Sequence, residues 1–320
     1  MDDQDLEIEF EKHRPRLRAA AYRMLGSLSD ADDALQDAWL RVHQAGNGVD
    51  VENPAAWLTT VVARVCLNVL RTRRTRREAP FDRTLPDPVI TAPDALQPEE
   101  QALLADSIGL ALLVVLDRLA PAERLAFVLH DTFEFPFEEI APIVGRTPEA
   151  TRQLASRARR RVREAALPEP ETDLRRQREV VDAFFRATRA RDFDALLSVL
   201  HPDAVLRSEF GVARPPVPPV LQGAAEVARN AVLGAAPDAV LHPVLVNGSA
   251  GALISRHGRV FALLAFTVVE GRIVFIDAIA DVKRLRRLTG SLAVGQPGDD
   301  PLTVDPAERR GDAPGKGVGF

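Results

Sequence analysis

Apolar residues recur at helical spacing in the first half of the chain and at strand spacing in much of the second half. Residues 1 to about 79, which include FEKHRPRLRAAAYRML, and residues 101 to 166 carry the period of amphipathic helices. Between them, residues 79 to 100 contain five prolines together with several acids. Because proline favours extended backbone, we predict two helical segments joined by an extended linker.

A different pattern begins at residue 174. One helical stretch, 174 to 200, leads into the runs AVLHPVLV, GALISR, RVFALLAFTVV and RIVFIDAIA, and the segments NGSAG, RHGR and VEGR separate these runs. The runs predict strands and the glycine-containing segments predict turns, so we expect an α+β domain. Residues 290 to 320 have too few apolar side chains to pack and predict a disordered tail.

Composition excludes several classes of protein. Hydrophobic residues make up 46% of the chain and charged residues 27%, as in folded globular proteins. The acidic N-terminus does not have the order of a signal peptide, and no apolar run approaches the roughly 18 residues of a membrane span. We therefore expect a cytoplasmic protein.

The single cysteine, Cys66, excludes an intramolecular disulfide and a multi-cysteine metal site, and we expect no cofactor or metal.

Positive charge is concentrated although the formal net charge is −5. Arginines cluster in RTRRTRR (71 to 77), and six more lie between residues 152 and 163. Two separate basic patches indicate a polyanionic partner that contacts the chain at two places. Two solvated helix faces are the alternative.

The second basic patch lies in FEFPFEEIAPIVGRTPEATRQLASRARRRVR. Thr147 as N-cap and Pro148 at the first helical position predict a helix start, and a short helix over 137 to 144 ends at Gly145. This order predicts a helix-turn-helix. A spacing of four residues predicts an inner face of Ala150, Leu154, Ala158 and Val162.

The outer face of that second helix suits DNA. Arginine and glutamine can bond base edges in the major groove, and further arginines neutralise phosphate. An arginine-rich helix that only aids solubility is the alternative. The predicted DNA contacts are Thr151, Arg152, Gln153, Ser156, Arg157 and Arg160.

Two further helices carry distinct surfaces. SLSDADDALQDAWLRVHQ predicts a helix with Ser29 as N-cap, an apolar face and a strongly acidic opposite face, which suits solvent or a basic protein partner. NPAAWLTTVVARVCLNVLRTRRTRR predicts a helix that starts at Asn53 and Pro54, is apolar at first and becomes basic. Its arginine end suits phosphate or a single strand.

These stretches together resemble regions 2 and 4 of bacterial sigma-70-type factors of the extracytoplasmic-function group. The resemblance implies two all-α sigma domains, 1 to 79 and 103 to 166, joined by the linker 80 to 102. It also implies that the helix-turn-helix binds the minus-35 promoter element and that the helix after Asn53 binds and helps to melt the minus-10 element. The minus-10 contacts would be Asn53, Trp57, Arg64, Asn68, Arg71, Arg73 and Arg74.

The same resemblance implies core RNA polymerase as a partner, bound through its β′ clamp helices and its β flap. The acidic helix would dock on the clamp helices. The residues implied for this contact are Asp30, Asp33, Gln36, Asp37 and Trp39.

Residues 174 to 289 resemble a SnoaL-like domain of the NTF2-like fold, a cone of helices on a curved antiparallel sheet. The arrangement is similar to sigma factors of the sigma-J type, in which such a domain acts as a fused regulator. The stretches TLPDPV and NGSAG resemble the linker and turn motifs of that group, whereas SEFGVARPPVPPV stands where a glycine-rich motif is expected near residue 210. The implied interdomain contacts are Leu85, Pro86, Asp87, Pro88, Val89, Asn247, Gly248 and Gly251.

Some relatives of this fold are enzymes or bind small molecules in the cone. His201, Asp203 and Asp277 are the acid and base candidates here. A helix-ending turn at His201 to Asp203, and capping or pairing of Asp277 within the sheet, are the favoured explanations of these residues. The prediction is a non-enzymatic sigma factor that is monomeric when free and is regulated by its own C-terminal domain, whose pocket is a candidate site for a small-molecule ligand. The alternative is a ligand-sensing or enzymatic SnoaL-like protein whose helix-turn-helix acts without polymerase, which would not need the acidic helix.

Overall fold

The structure is a computed structural model that describes residues 3–45, 53–75, 85–92, 109–165, 169–210 and 218–290. Several predicted segments lie outside these residues. They are the tail from 291 onward, most of the linker, the last two arginines of the first basic cluster, the start of the second helical domain, and 211–217 of the stretch that replaces the glycine-rich motif.

The N-terminal domain consists of helices α1 (Asp3–Leu25), α2 (Leu28–Ala45) and α3 (Pro54–Thr75). Asn53 Oδ1 accepts a hydrogen bond from the Ala56 N–H at 3.1 Å, which confirms the predicted start of α3. The predicted cap of α2 was wrong by two residues. Ser27, not Ser29, lies before the first turn, and its Oγ accepts from the Asp30 N–H at 3.4 Å.

The second domain contains α4 (Leu110–Asp117), α5 (Pro121–Phe127), a π-helical turn (Val128–Thr132), α6 (Phe137–Val144) and α7 (Pro148–Glu164). Gly145 ends α6 with a φ of 70°, a left-handed conformation that glycine adopts without strain. Thr147 Oγ1 then accepts from the Ala150 N–H at 3.2 Å and caps α7. The predicted helix-turn-helix boundaries are confirmed.

The C-terminal domain contains the four predicted strands and more. The helical stretch predicted over 174 to 200 is divided, because Arg191 has a φ of 55° and Asp192 caps a second helix. A strand starts at Leu200 and includes His201 to Asp203, where the sequence favoured a helix-ending turn. The elements are α8 (Leu174–Ala190), α9 (Phe193–Val199), β2 (Leu200–Glu209), β3 (Val220–Gln222), α10 (Ala224–Leu233), β4 (Val240–Val246), β5 (Ser249–Arg256), β6 (Arg259–Val269), β7 (Arg272–Ile279) and α11 (Val282–Thr289).

The sheet of this domain includes a strand from the linker. With this linker strand, Ile90–Thr91, as β1, the order is β1-β4-β5-β6-β7-β2-β3, and β2 and β7 are its parallel pair. Strand β1 consists of Ile90–Thr91, which pair with Val246 and Leu245 of β4. The linker therefore joins the C-terminal domain as an edge strand as well as connecting the two helical domains.

Two cores lie on the two faces of this sheet. On one face, helices α8 to α10 pack over the rings of Phe184, Phe185 and Phe266, whose centroids are 5.5 to 5.7 Å apart. On the other face, residues such as Leu253 and Leu263 belong to one continuous core with the linker and both helical domains. The predicted fold class of two all-α domains followed by an α+β domain is confirmed. Among the described helices, none is both long and apolar enough to cross a membrane.

Candidate nucleic-acid interface and interdomain junction

Helix α7 presents most of the predicted DNA contacts to solvent. Arg152, Gln153, Ser156, Arg157 and Arg160 are all exposed. The predicted DNA contact by Thr151 was wrong, because its side chain is fully buried and its Oγ1 donates to the Thr147 carbonyl oxygen at 2.9 Å. A strict spacing of four drifts around a helix of 3.6 residues per turn. The observed inner face follows the helical period instead, with Thr151, Ala155 and Ala158 buried and Val162 half-buried.

The six arginines of this helix have different environments. Arg159 Nε lies 2.6 Å from Asp131 Oδ1, and Arg161 Nη1 lies 2.7 Å from Glu123 Oε2, so both arginines attach α7 to the preceding helical segment. Arg152 lies over the ring of Phe137. Arg157 forms no ion pair with any described residue. Arg160 lies 3.7 Å from Glu164, but both side chains are exposed. Much of the positive charge on the outward face is therefore left uncompensated, as a phosphate-binding or base-binding surface requires.

Some residues of the second predicted nucleic-acid surface, on α3, form contacts within the protein, and others are exposed. Arg64, Asn68 and Arg74 are exposed, Asn53 caps the helix from an exposed position, and Trp57 is half-buried against the core.

Two arginines of α3 bind the ends of other helices. Arg71 Nη2 donates to the Val144 carbonyl oxygen at 3.4 Å, and Arg73 Nη1 donates to the Leu25 carbonyl oxygen at 3.2 Å. Arg73 also pairs with Asp30 at 2.6 Å. The last carbonyl groups of a helix carry partial negative charge and lack intrahelical donors, so an arginine satisfies them.

The two helical domains also meet at a cleft. It has a volume of about 190 Å³ and lies between the start of α3 and the segment before α6. Its lining includes Arg16, Asn53, Thr59, Phe133 and Glu139. The guanidinium carbons of Arg16 and Arg23 lie 5.9 Å and 5.1 Å from the Phe133 ring centroid, which adds cation–π contacts between the domains.

A buried arginine lies where the two helical domains meet. Arg124 is 1% exposed; its Nε donates to the Arg23 carbonyl oxygen at 3.2 Å and its Nη1 pairs with Asp117 at 2.8 Å. Its Nη2 has no hydrogen-bond partner among the described residues. Burial lowers the pKa of Arg124 and raises the pKa of Asp117, while the opposite charge of each partner counteracts both shifts.

The acidic face of α2 is only partly neutralised. Asp32 accepts two hydrogen bonds from Arg18, at 2.6 and 2.8 Å, and Asp37 pairs with Arg41 at 3.0 Å. Asp33 and Gln36 are exposed, and Asp33 has no ion-pair partner among the described residues. Trp39 is half-buried against Phe10, with ring centroids 5.0 Å apart, and the next residue, Leu40, is 50% exposed.

The linker residues Leu85 to Val89 are buried between the domains. The Asp87 N–H donates to the Gly26 carbonyl oxygen at 2.8 Å, and the Tyr22 hydroxyl donates to the Asp87 carbonyl oxygen at 2.8 Å. On the other side, Val89 exchanges two hydrogen bonds with Asn247, at 2.7 and 2.8 Å. The structure thus brings the two predicted motifs together and joins them to α1.

The turn between β4 and β5 explains how Asn247 reaches the linker. Asn247 and Gly248 are the two central residues and have φ angles of 49° and 78°, as a type I′ turn requires. Gly251 follows on β5, where an added Cβ would lie 2.5 Å from Val246 Cγ2 and 2.8 Å from the Leu264 carbonyl oxygen. Close approach of the backbone therefore requires glycine at this position.

A charged cluster completes the junction. Arg284 of α11 is 7% exposed, donates to Asp87 Oδ1 at 2.8 Å, and also bonds Glu209 and the Leu85 carbonyl oxygen. Glu209 Oε2 in turn accepts from the Leu85 N–H at 2.8 Å. Tyr22, Glu209 and Arg284 were not predicted. Tyr22 is the only tyrosine of the chain, and Glu209 lies in the stretch that departs from the expected glycine-rich motif.

The acid and base candidates of the cone are not brought together. Arg207 forms two hydrogen bonds with Asp277, at 2.5 and 2.8 Å, on adjacent strands. Burial raises the pKa of Asp277, although Arg207 opposes the shift. His201 lies on β2, six residues before Arg207, and its Nδ1 accepts a hydrogen bond from the Asp203 N–H at 3.2 Å. Among the described residues, no cluster of metal-ligating side chains is present.

Comparison with known proteins supports this arrangement. The family model for sigma-70 region 2 matches residues 10–76, and that for sigma-70 region 4 matches residues 109–162. The ECF RNA polymerase sigma factor SigJ of Mycobacterium tuberculosis is 36% identical over 296 residues, which cover 88% of this chain and 93% of SigJ. The probable ECF RNA polymerase sigma factor SigI of that species is 34% identical over 289 residues, 88% of this chain and 96% of SigI.

A solved structure is similar over most of the chain. The crystal structure of the Mycobacterium tuberculosis extracytoplasmic function sigma factor SigJ aligns with a TM-score of 0.67 and 34% identity. The alignment covers 87% of this chain and 97% of the crystallised chain. The likeness therefore includes the C-terminal domain as well as the two helical domains.

Proposed function

The chain belongs to the extracytoplasmic-function group of RNA polymerase sigma factors, and from this we propose that its C-terminal domain regulates initiation by holding the two promoter-binding domains in a closed arrangement. As a sigma factor, the protein binds core RNA polymerase and directs it to promoter DNA. The regulation, the residues that make each contact and the polymerase surfaces involved are the proposal.

The observation that carries the proposal is the buried junction around residues 85 to 89. The linker is bonded to α1 through Tyr22 and Gly26, and to the C-terminal domain through Asn247 and Arg284. Because the linker also connects the two helical domains, holding it in place limits how far they can separate. The C-terminal domain therefore controls the distance between the two DNA-binding surfaces.

Arg71 and Arg73 support a closed form that must open on DNA. Their guanidinium groups donate to carbonyl oxygens at the ends of α6 and α1. A promoter phosphate competes for the same guanidinium groups, so minus-10 binding would weaken these contacts. Minus-10 contacts by Asn53, Trp57, Arg64, Asn68 and Arg74 would accompany the release of Arg71 and Arg73.

We assign polymerase binding to α2 and upstream DNA binding to α7. Asp33 and Gln36 are exposed and Leu40 adds an apolar surface, which suits docking on the β′ clamp helices together with Asp30, Asp37 and Trp39. Arg152, Gln153, Ser156, Arg157 and Arg160 would contact the minus-35 element, and the second domain would contact the β flap.

No catalytic role is assigned to the C-terminal domain, because Asp277 uses its charge on Arg207 and lies on the face that packs toward the helical domains. A small-molecule ligand of this domain would act by changing the stability of the junction.

Promoter-dependent transcription with core RNA polymerase tests the proposal. The full chain is compared with a version that ends at residue 166, one that ends near residue 290, and a full-length Arg284→Ala variant. We expect the full chain to transcribe from promoters selected from a randomised library. Arg284→Ala should reach half-maximal transcription at a lower concentration of core polymerase, because less free energy opposes opening.

The outcomes separate the two parts of the proposal. Transcription that requires the chain but is the same for all versions would show a sigma factor without regulation by the C-terminal domain. No transcription with any version across the library would favour a DNA-binding protein that acts without polymerase.

A further inference from the structure

Arg152 differs from the other arginines of α7 in what fixes its position. Its guanidinium carbon lies 5.3 Å from the centroid of the Phe137 ring, and its side chain is exposed. No described carboxylate forms an ion pair with it, whereas Arg159 and Arg161 are bonded to Asp131 and Glu123. The nearby Glu149 carboxylate attracts the Arg152 charge without an ion-pair contact. The N–H donors of Arg152 therefore stay available while an aromatic ring restricts its motion.

Phe137 is itself held in place. It is the first residue of α6 and is 8% exposed, and the imidazole of His130 is stacked on its ring with centroids 3.9 Å apart and an interplanar angle of 27°. His130 Nδ1 is bonded to the Phe135 carbonyl oxygen at 2.9 Å, which fixes the imidazole.

The local backbone explains this stack. His130 lies in the π-helical turn Val128–Thr132, and such turns are frequent at functional sites. The turn ends in a tight reversal, in which the Phe135 N–H donates to the Leu129 carbonyl oxygen at 3.0 Å and Glu134 has a φ of 60°. This reversal returns the chain so that Phe137 lies against His130.

We propose that Phe137, supported by His130, is a positioning residue that holds the Arg152 guanidinium for specific recognition of a base pair. The inference rests on the proposed binding of upstream promoter DNA by α7. Arg152 lies in the N-terminal half of that helix, the part that contacts base edges in helix-turn-helix proteins. A guanidinium stacked on a ring keeps the N–H donors at its edge free, and a guanine presents two acceptors, O6 and N7, to such a fork.

The test uses the holoenzyme, formed from core RNA polymerase and the full chain, and a duplex library randomised over the upstream promoter element. Sequencing of the bound duplexes gives the base preference at each position. We expect Arg152→Lys to reduce the preference at one or two adjacent positions by about 5- to 100-fold while other positions change little. Phe137→Leu should reduce the preference at the same positions, and His130→Ala should do so to a smaller extent.

Phe135→Leu is the matched control. Phe135 is as buried as Phe137, and no arginine among the described residues lies over its ring. A general loosening of the domain would make Phe135→Leu and Phe137→Leu equally harmful at all positions. The stack predicts a loss confined to the positions that Arg152→Lys affects.

The double variant Phe137→Leu with Arg152→Lys decides the mechanism. If Phe137 acts through Arg152, adding Phe137→Leu to Arg152→Lys changes the base preference no further. Additive losses, or unchanged preference in both Phe137→Leu and His130→Ala, would overturn the inference. A wild-type holoenzyme without any upstream preference would instead contradict the proposed role of α7.

Discussion

The Tyr22 hydroxyl oxygen and Asn247 Oδ1 lie 3.2 Å apart, although 225 residues separate them in the chain. Burial raises the pKa of Tyr22 well above its usual range, so the hydroxyl keeps its proton and serves as a donor. Its shorter contact is to the Asp87 carbonyl oxygen, at 2.8 Å. The first helix, the linker and the C-terminal domain therefore meet at one buried hydroxyl group.

Asn247→Gly should destabilise the folded protein. Glycine keeps the positive φ of the turn but removes the oxygen that accepts from the Val89 N–H, and a buried donor without a partner costs about 1 to 3 kcal/mol. Urea unfolding should show this loss in the free energy of unfolding. The variant should also need less core polymerase for half-maximal transcription, because the linker is held less firmly.

His257→Gly is the control for that change. His257 has a φ of 50° and precedes Gly258 in the equivalent turn between β5 and β6. Unlike the side chain of Asn247, however, its side chain is exposed and is not buried against another domain. The entropic effect of an added glycine is common to both variants. Equal destabilisation by the two changes would show that the Asn247 side chain contributes nothing to the junction.

Arg124→Met should cost about 3 to 5 kcal/mol, because it leaves the largely buried Asp117 carboxylate without its partner. The double variant Arg124→Met with Asp117→Leu should recover part of this loss, since neither charge then remains. Chemical unfolding of the two single variants and the double variant measures the coupling. Strictly additive losses would mean that the ion pair does not act as a unit.

Local signals in the sequence predicted the helical domains well. Thr147, Pro148 and Gly145 determine the helix-turn-helix through their own backbone and capping properties, which do not depend on distant residues. Asn247 and Gly248 likewise specify their turn. Such features are visible in any single sequence, and each of these predictions is confirmed by the structure.

The junction could not be predicted in the same way, because its residues acquire their roles only through long-range packing. Arg284 lies in a basic run that looks like an ordinary solvated helix, yet it is 7% exposed and bonded to Asp87 and Glu209. The parallel pairing of β2 with β7 was missed as well, because the sequence favoured a turn over His201 to Asp203, within what is the start of β2. The inner face of α7 was predicted to include Ala150, one position before the buried Thr151, because a spacing of four was used for a helix with 3.6 residues per turn.

Asp33→Lys should weaken binding to core RNA polymerase without changing stability. The carboxylate is exposed and has no ion-pair partner among the described residues, so its removal breaks no contact within the protein. Its reversal adds like-charge repulsion against a basic partner surface. We expect at least a tenfold loss of affinity, corresponding to about 1.4 kcal/mol, measured by titration with labelled core polymerase.

Asp182→Lys on α8 provides the matched control, because Asp182 is another exposed acidic residue on a helix and lies in the C-terminal domain. It makes the same change in net charge. An equal loss of affinity in both variants would indicate a nonspecific effect of charge and would contradict docking through α2.

Arg157→Ala and Arg159→Ala should have different effects on promoter binding, although the two arginines are only two residues apart. Arg157 is exposed without an ion pair among the described residues, whereas Arg159 Nε is bonded to Asp131 Oδ1 at 2.6 Å. Loss of a base contact costs about 1 to 3 kcal/mol and lowers sequence preference, whereas loss of a phosphate contact weakens all sequences and reduces the salt dependence of binding. We therefore expect Arg157→Ala to reduce holoenzyme affinity for promoter duplexes and Arg159→Ala mainly to lower stability, by less than about 1 kcal/mol.

Fluorescence anisotropy of labelled promoter duplexes at several salt concentrations separates these cases. A larger loss of DNA affinity in Arg159→Ala than in Arg157→Ala would mean that the ion pair with Asp131 opens on DNA and that Arg159 belongs to the binding surface.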